Sequence, residues 1–457
     1  MPDTGALHTL RTSFQNGTLR SCRQRVEQLQ SLKRSILAHE QEINDALYTD
    51  LKKSKEEVWV TETGMVISEL SVAIKNLRKW MEPEYVPTNL LNLPSSSSIW
   101  SEPKGVVLII APWNYPFNLL FIPLIGAIAA GNTVVLKPSE FARTTEQVMG
   151  KIIADAFSPE LVLYRAGDGA KVIPEMMNNF SFDHVFYTGS TEVGRLIYKM
   201  AAEKLVPVTL ELGGKSPCVV DGDANIKVAA RRIAMTKFSN AGQMCVAPDY
   251  LLIHQKVKDE FVKEIKKAIE KFFTGKAEES DNYGRIINEK QFDRISNYLS
   301  SGKVILGGRS DKKSLFFEPT LIEDLKPGSN LMKEEIFGPI LPVIPFSTRQ
   351  EALTIISNNP NPLAFYIYSG NKKIAEQWVA SVPAGGCCIN NSSWHLTNHN
   401  LPFGGRGFSG TGSYHGKFSF DTFSHKKAVM KTPTWFDPAI KYPPFKGKLG
   451  LFKKIIR

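Results

Sequence analysis

Apolar positions along the chain follow two different periods. Between about residues 22 and 81 they recur at helical spacing among Glu, Gln, Lys and Arg, as with Leu29, Leu32 and Ile36, then Ile43, Leu47 and Leu51. Prolines 83, 87 and 94 and the serines 95–98 then punctuate a stretch that reads as a connector or an interaction hairpin rather than a helix. From residue 105 the pattern changes to alternating strands and helices. The all-apolar run 105–111 predicts a strand covered on both faces, as in a parallel sheet. Helices are expected at 117–130, 145–157 and about 191–203, and further strands at 132–137, 161–166 and 183–187. This alternation predicts a doubly wound α/β nucleotide-binding architecture. A second α/β block is expected from 213 to about 390, and a Gly- and Ser-rich segment from 401 to 426 closes the core.

The chain has 457 residues, 42% hydrophobic and 22% charged, which is ordinary globular usage and enough for two or three domains. No uninterrupted apolar run reaches the ~18 residues of a spanning helix, and residues 1–19 lack the apolar core of a secretory signal, so a soluble cytoplasmic protein is expected. The five cysteines form neither an even ladder nor a zinc spacing, which predicts reduced thiols and no metal. The net charge of +11 is spread over helices that also carry acids, which reads as a solvated surface and not as a nucleic-acid site. The tail 443–457 differs, because its five cations and its Leu, Ile and Phe residues stand without an acid. Two readings stay open for it: a peripheral membrane contact or a short helix docked on its own protein.

Chemistry enters with Cys245, behind Gly242 and Gln243 and ahead of a strand at 250–254. A free thiol titrates at about 8.5, so a nucleophile there needs a base or an electropositive setting; otherwise it is a small core residue. Glu211, in an apolar run, is a candidate general base whose carboxyl burial would raise, the alternative being a salt bridge to Lys215. Asn114, after the first strand, offers a side-chain N–H that could join the Cys245 N–H as an oxyanion hole, or else makes an Asx turn before Pro116. The stretch Gly189 to Gly194 lies between a strand and a helix, where free N–H groups favour a phosphate, though it is no P-loop. The run 167–172 mimics a dinucleotide fingerprint but lacks its third glycine. Lys137 and Glu140 stand at the carboxyl end of a strand, where Glu140 could accept ribose hydroxyls and would repel a 2′-phosphate, favouring NAD over NADP, although the pattern alone favours an ordinary capped helix start.

Taken together, Pro-Trp-Asn-Tyr-Pro (112–116), Lys-Pro-Ser-Glu (137–140), Thr-Leu-Glu-Leu-Gly-Gly-Lys-Ser-Pro (209–217), Gly-Gln-Met-Cys (242–245), Glu-Glu-Ile-Phe-Gly-Pro (334–339) and Pro-Phe-Gly-Gly (402–405) resemble the aldehyde dehydrogenase superfamily, in its order. Residues 113–116 and 414–425 resemble its class 3 branch, which includes fatty aldehyde dehydrogenases, and the likeness runs from about residue 8 to 430. The resemblance implies a Rossmann-like cofactor domain (1–82 and 103–210), a catalytic domain (211–399), an oligomerisation segment (83–102 and 400–432) that would build a homodimer, and the basic tail (433–457). It implies Cys245 as nucleophile, Glu211 as base and Asn114 at the oxyanion. NAD, with NADP as alternative, would lie against Trp113, Lys137, Glu140, Thr188, Gly189, Ser190, Val193, Gly194 and Leu212, with Glu335 and Phe337 at the nicotinamide end. Met244, Arg406 and Phe408 depart from the usual residues; the class 3 resemblance with Met244, Phe408 and Trp394 suggests an apolar entrance for medium- or long-chain, aromatic or isoprenoid aldehydes. The long hydrophobic anchor of membrane-bound fatty aldehyde dehydrogenases is not expected. The rival readings are a cysteine amidase or acyltransferase that pairs Cys245 with a histidine, and a membrane-surface binding protein without catalysis.

Overall fold

A computed structural model describes residues 4–456; residues 1–3 and Arg457, one of the tail cations, lie outside the described residues. The expected doubly wound architecture is present. The strand Val106–Ile110 is buried on every residue and pairs in parallel with Thr133–Lys137 on one side and His184–Thr188 on the other. Val162–Tyr164 extends the first side and Val208–Glu211 the second, where Gly410–Thr411 adds an antiparallel edge. The chain therefore moves outward from Val106–Ile110 in one direction and returns to its other flank. The carboxyl ends of Val106–Ile110 and His184–Thr188 consequently face a switch-point crevice, where open α/β sheets bind ligands.

The helix Pro116–Ala130 is apolar nearly all round because it is covered nearly all round. Its far wall is the N-terminal helices Cys22–Ala38 and Gly64–Met81, which bury the predicted Leu29, Leu32 and Ile36 together with Leu70. Ser21 starts the first of these with a capping box shared with Gln24, which satisfies two otherwise free N–H groups. An earlier helix, Thr4–Gln15, covers the Thr133–Lys137 strand; its short stripe gives no strong period in the sequence.

The second block is a seven-stranded sheet in the order Lys303–Leu306, Thr320–Glu323, Ile340–Phe346, Tyr250–His254, Pro217–Val220, Ala364–Tyr368, Gly386–Ile389, parallel except at its first edge. A third sheet is small. Ser96–Pro103 pairs along its whole length with Ser424–Lys431 and carries Glu84–Val86 on its other edge. Tyr85, Trp100 and Met430 on it are exposed. The stretch 400–432 is thus divided, since Gly410–Thr411 belongs to the first sheet, beside Glu211, and only Ser424–Lys431 to the third.

Candidate active site

The cysteine loop begins where the helix Ile226–Phe238 ends. Asn240 (φ 49°), Ala241 (φ 50°) and Gly242 (φ 74°) are left-handed in succession, a conformation that costs L-residues energy and persists only when the surroundings enforce it. Gly242 is required for space as well, because a Cβ there would stand 2.3 Å from the Gly338 carbonyl oxygen. Asn240 and Gln243 supply the enforcement. The Asn240 amide donates to the carbonyls of Asn114 (2.8 Å) and Gln243 (3.2 Å). The fully buried Gln243 amide donates to Asn240 and Arg285 carbonyls and accepts from the Ile287 N–H. Cys245 emerges from this frame partly exposed. Burial, followed by the charges of Glu335 and Glu211, pushes its thiol up to about 12, opposed by the N–H groups of Cys245 and Val246. A base is therefore needed to ionise it.

Glu211 ends its strand between Thr188 and Gly410. It is 3% exposed, neither carboxylate oxygen has a partner among the described residues, and burial drives its pKa well above the carboxylate range. The alternative of a salt bridge to Lys215 is not realised. Lys215 instead forms a buried ion pair with Asp249 and donates to the carbonyls of Leu331 and Glu334, each at 2.8 Å. The second Asp249 oxygen accepts from the Ile336 N–H at 2.9 Å, so the pair fixes the loop that carries Glu335. Burial and the nearby Asp249 raise Glu335 to about 8, against the Gly214 N–H and Lys215. A Cβ on Gly213 would meet the Glu335 Oε2 at 1.8 Å, so glycine there lets the carboxyl group in.

Across the crevice, Thr188 places a buried hydroxyl that has no partner among the described residues. Gly189 follows it and has no room for a Cβ, which would lie 2.3 Å from the Tyr187 hydroxyl. Ser190 caps the helix Thr191–Ala202 by accepting from the Val193 N–H, and Gly194 packs on Leu212, a Cβ there falling 2.7 Å from its Cδ2. Beyond the next strand, the Glu140 carboxylate accepts from Lys137 (3.1 Å) and from the Gly169 N–H (2.8 Å). The incomplete fingerprint at 167–172 therefore braces Glu140. Phe337, at φ 44°, meets Trp113 edge-on at 5.3 Å between centroids. An orphaned hydroxyl, a helix N-terminus, glycine-lined backbone and a braced carboxylate at the switch point fit a dinucleotide.

Asn114 is buried after the central strand and does not make the Asx turn. Its Nδ2 donates to the Gln243 carbonyl at 3.0 Å, which ties it to the cysteine loop and leaves its second N–H for another acceptor. Its own carbonyl accepts from the Lys53 ammonium at 3.1 Å, and Lys53 is paired with Glu62 at 2.6 Å with both side chains fully buried. These two residues, with Asn240 and Asp249, are parts of the site that sequence reasoning missed. Among the described residues the cysteine that bonds a histidine is Cys388, 3.3 Å from His395 Nδ1, and not Cys245. A cleft of about 280 Å³ opens nearby, lined by Trp59, Val60, Met65, Ile122 and His415 among others. Its Met65 Sδ takes a hydrogen bond from Asn118, so it follows the helix that starts beside Asn114. Phe408 and Trp394 are exposed.

Fold and site together define a dinucleotide-binding α/β protein with a thiol and two carboxyl groups at the switch point. The sequence profile of the aldehyde dehydrogenase family matches residues 6–429. The chain is 44% identical over 453 residues to aldehyde dehydrogenase family 3 member H1 of Arabidopsis thaliana, covering 98% of this chain and 93% of that one. It is 43% identical over 435 residues to the 4,4′-diaponeurosporen-aldehyde dehydrogenase of Staphylococcus aureus, covering 95% and 94%. A solved structure described as the substrate-bound state of Staphylococcus aureus AldH superposes with a TM-score of 0.96 at 41% identity, covering 99% of each chain. The chain belongs to the aldehyde dehydrogenase family, in its class 3 branch, and is an NAD(P)-dependent enzyme that oxidises aldehydes to carboxylic acids. The amidase and non-catalytic readings have no support.

Breaking the Lys215–Asp249 pair tests how the site is anchored. Lys215→Met leaves Asp249 buried and unpaired, and is expected to lower unfolding free energy by about 3–5 kcal/mol, measured by urea denaturation.

Proposed function

We propose that Cys245 is the nucleophile, Asn114 the oxyanion donor and Glu211 the general base of this oxidation. The observation that carries the reading is the pair of unpartnered Glu211 oxygens in a buried site whose charge acts on the Cys245 thiol. The Cys245 sulfur attacks the aldehyde carbon, its proton leaving to a carboxylate. The Asn114 N–H not used by Gln243 receives the developing oxyanion. Bound NAD(P) supplies the hydride acceptor, chemistry that no side chain offers. Hydride loss leaves a thioester on Cys245. Water deprotonated by Glu211 hydrolyses it, and the raised affinity of that carboxyl for a proton suits it to the task. Cys245→Ala is expected to abolish NADH production. Glu211→Gln is expected to accumulate the acyl-enzyme, seen as a mass increase on Cys245 after mixing with aldehyde and NAD; an unmodified cysteine with slow turnover would move the base elsewhere.

Glu335 and Phe337 are read as contacts of the nicotinamide ribose and ring. A carboxylate accepts both ribose hydroxyls only when ionised, and this one titrates at about 8. Below that pH it is protonated and above it charged. The KM for NAD is therefore expected to fall as pH rises from about 7 to 9, and Glu335→Gln to remove that dependence. Lys137 and Glu140 are read as the adenosine-ribose contacts, with Trp113, Thr188, Gly189, Ser190, Val193, Gly194 and Leu212 along the cofactor.

The substrate class is read as apolar aldehydes of medium or long chain, aromatic or isoprenoid type, with the tail along the Trp59, Val60, Met65 and Ile122 cleft. The exposed Tyr85, Trp100 and Met430 of the small sheet support a homodimer built through it. No helix among the described residues is long and apolar enough to cross a membrane. The tail helix Leu449–Ile455 exposes Leu449 and Leu451 alongside Lys453 and Lys454, which supports a peripheral contact with anionic lipid. Removing residues 443–457 is expected to abolish co-sedimentation with phosphatidylserine vesicles and to leave hexanal oxidation unchanged.

A further inference from the structure

The helix that follows Asn114 begins without a cap of its own. Tyr115 stands at its N-cap and provides no side-chain hydrogen bond, and Pro116 opens the first turn. The missing acceptor comes from another element. Glu62 Oε2 accepts from the Asn118 N–H at 2.8 Å, and the Phe117 N–H faces the same carboxylate. Glu62 can reach there because residues Trp59–Thr63 form a π-helical turn between two α-helical segments, the Gly64 N–H bonding back to the Trp59 carbonyl. Such single turns concentrate at functional sites. Gly64 is obligatory for it, since a Cβ would lie 2.4 Å from that carbonyl oxygen.

Lys53 completes the arrangement. Its ammonium is 2.6 Å from Glu62, 3.1 Å from the Asn114 carbonyl oxygen and 3.9 Å from the centroid of Tyr115. Both ions are fully buried. A buried ion pair seldom stabilises a fold more than apolar residues of the same volume, so its presence needs a reason beyond stability. Here the remaining hydrogen-bonding capacity of both ions goes to one short segment. The cation takes the Asn114 carbonyl, and the anion takes the N–H groups of Phe117 and Asn118. The Asn114 carbonyl oxygen thereby accepts from both Lys53 and Asn240, while its side chain is held by the Gln243 carbonyl.

We propose that Lys53 and Glu62 are positioning residues for aldehyde oxidation: together they fix the Asn114 segment so that its free side-chain N–H points at the oxyanion formed on the Cys245-bound substrate. The proposal rests on the reading of Asn114 as oxyanion donor. An oxyanion donor acts through preorganisation, so a donor left free to swing loses most of its effect on kcat and little of its effect on binding.

The test is a double-mutant cycle with hexanal and NAD, reading kcat and KM separately. Asn114→Ala is expected to lower kcat by about 10²–10³-fold. Lys53→Met and Glu62→Gln are each expected to lower kcat by about 10–10²-fold, with KM for hexanal changed less than about threefold. In the Asn114→Ala background the same changes are expected to cost less than about twofold, because there is no donor left to misplace. Alkylation of Cys245 by iodoacetamide, expected within about twofold of wild type, and a cooperative thermal transition show that the variants keep a folded thiol site. A Lys53→Met deficit as large in the Asn114→Ala background as in wild type overturns the positioning role and makes the pair a support of the fold alone. Wild-type kcat in folded Lys53→Met or Glu62→Gln overturns it too. Wild-type kcat in Asn114→Ala overturns the oxyanion reading itself, a separate result visible in that single variant. Should Lys53→Met fail to fold, the milder Glu62→Gln carries the cycle with the same outcomes.

Discussion

One thiol and two carboxyl groups kept out of water together set the terms for the rest of the molecule. Cys245, Glu211 and Glu335 each hold their protons more tightly than in solution, chiefly because burial disfavours the charged form. Glu335 and Glu211 also act on the thiol, so each negative charge raises the cost of the next. Folding gains nothing from such a cluster. Lys215, four residues along the chain from Glu211, does not relieve it, being committed to Asp249 and two carbonyls. Were Lys215 free to turn to Glu211, it would stabilise the charged carboxylate and lower its affinity for a proton.

Holding these groups in place falls to backbone approaches that admit no side chain. Gly242 lies against Gly338, and Gly213 lies against the Glu335 carboxyl group, so the cysteine loop, the Glu335 loop and the end of the Glu211 strand are fixed on one another at contact distance. The left-handed residues Asn240, Ala241 and Phe337 flank the same junction. Their strain is offset by Asn240 and Gln243, whose amides tie their own loop to Asn114 and to the 285–287 segment. Asp249 adds a further bond to the Ile336 N–H. Satisfied main-chain groups thus add to the apolar packing of Phe238, Ala241, Val246 and Ile336 around the same junction.

Some of this was legible in the sequence. The central strands are continuous apolar runs because both faces are covered, and that made Val106–Ile110, Thr133–Lys137 and His184–Thr188 readable together with the helices between them. The motif residues brought Cys245, Glu211 and Asn114 forward as candidates through their resemblance to a family. What escaped were groups whose meaning lies in a partner far along the chain. Lys53 and Glu62 look like surface charges on an amphipathic helix, yet their targets are at positions 114 and 118, and the π-helical turn that aims Glu62 leaves no periodic trace. Lys215 next to Glu211 in sequence suggested a pair, but Glu211 ends its strand on the first sheet while Lys215 turns to Asp249, just ahead of a strand of the second. Nor could spacing show that Gly410–Thr411 would flank Glu211 from about 200 residues away, because antiparallel edge pairing of two residues carries no pattern of its own.

The acidic residues of the two halves of the crevice are prepared in opposite ways. Glu140 arrives with its bonds made, one oxygen to Lys137 and the other to the Gly169 N–H, which points it in one direction. Asn114 is held likewise through its carbonyl and one side-chain N–H. Glu211 arrives with nothing. A carboxylate that must hold a sugar in a fixed place gains from partners, since they remove its freedom before the ligand comes and spare the ligand that cost. A carboxyl group that must take a proton during the reaction loses by them, since every donor that steadies the anion lowers its basicity. The unpartnered oxygens of Glu211 and the braced oxygens of Glu140 suit different tasks, and that contrast supports the proposed division between a base and a sugar contact.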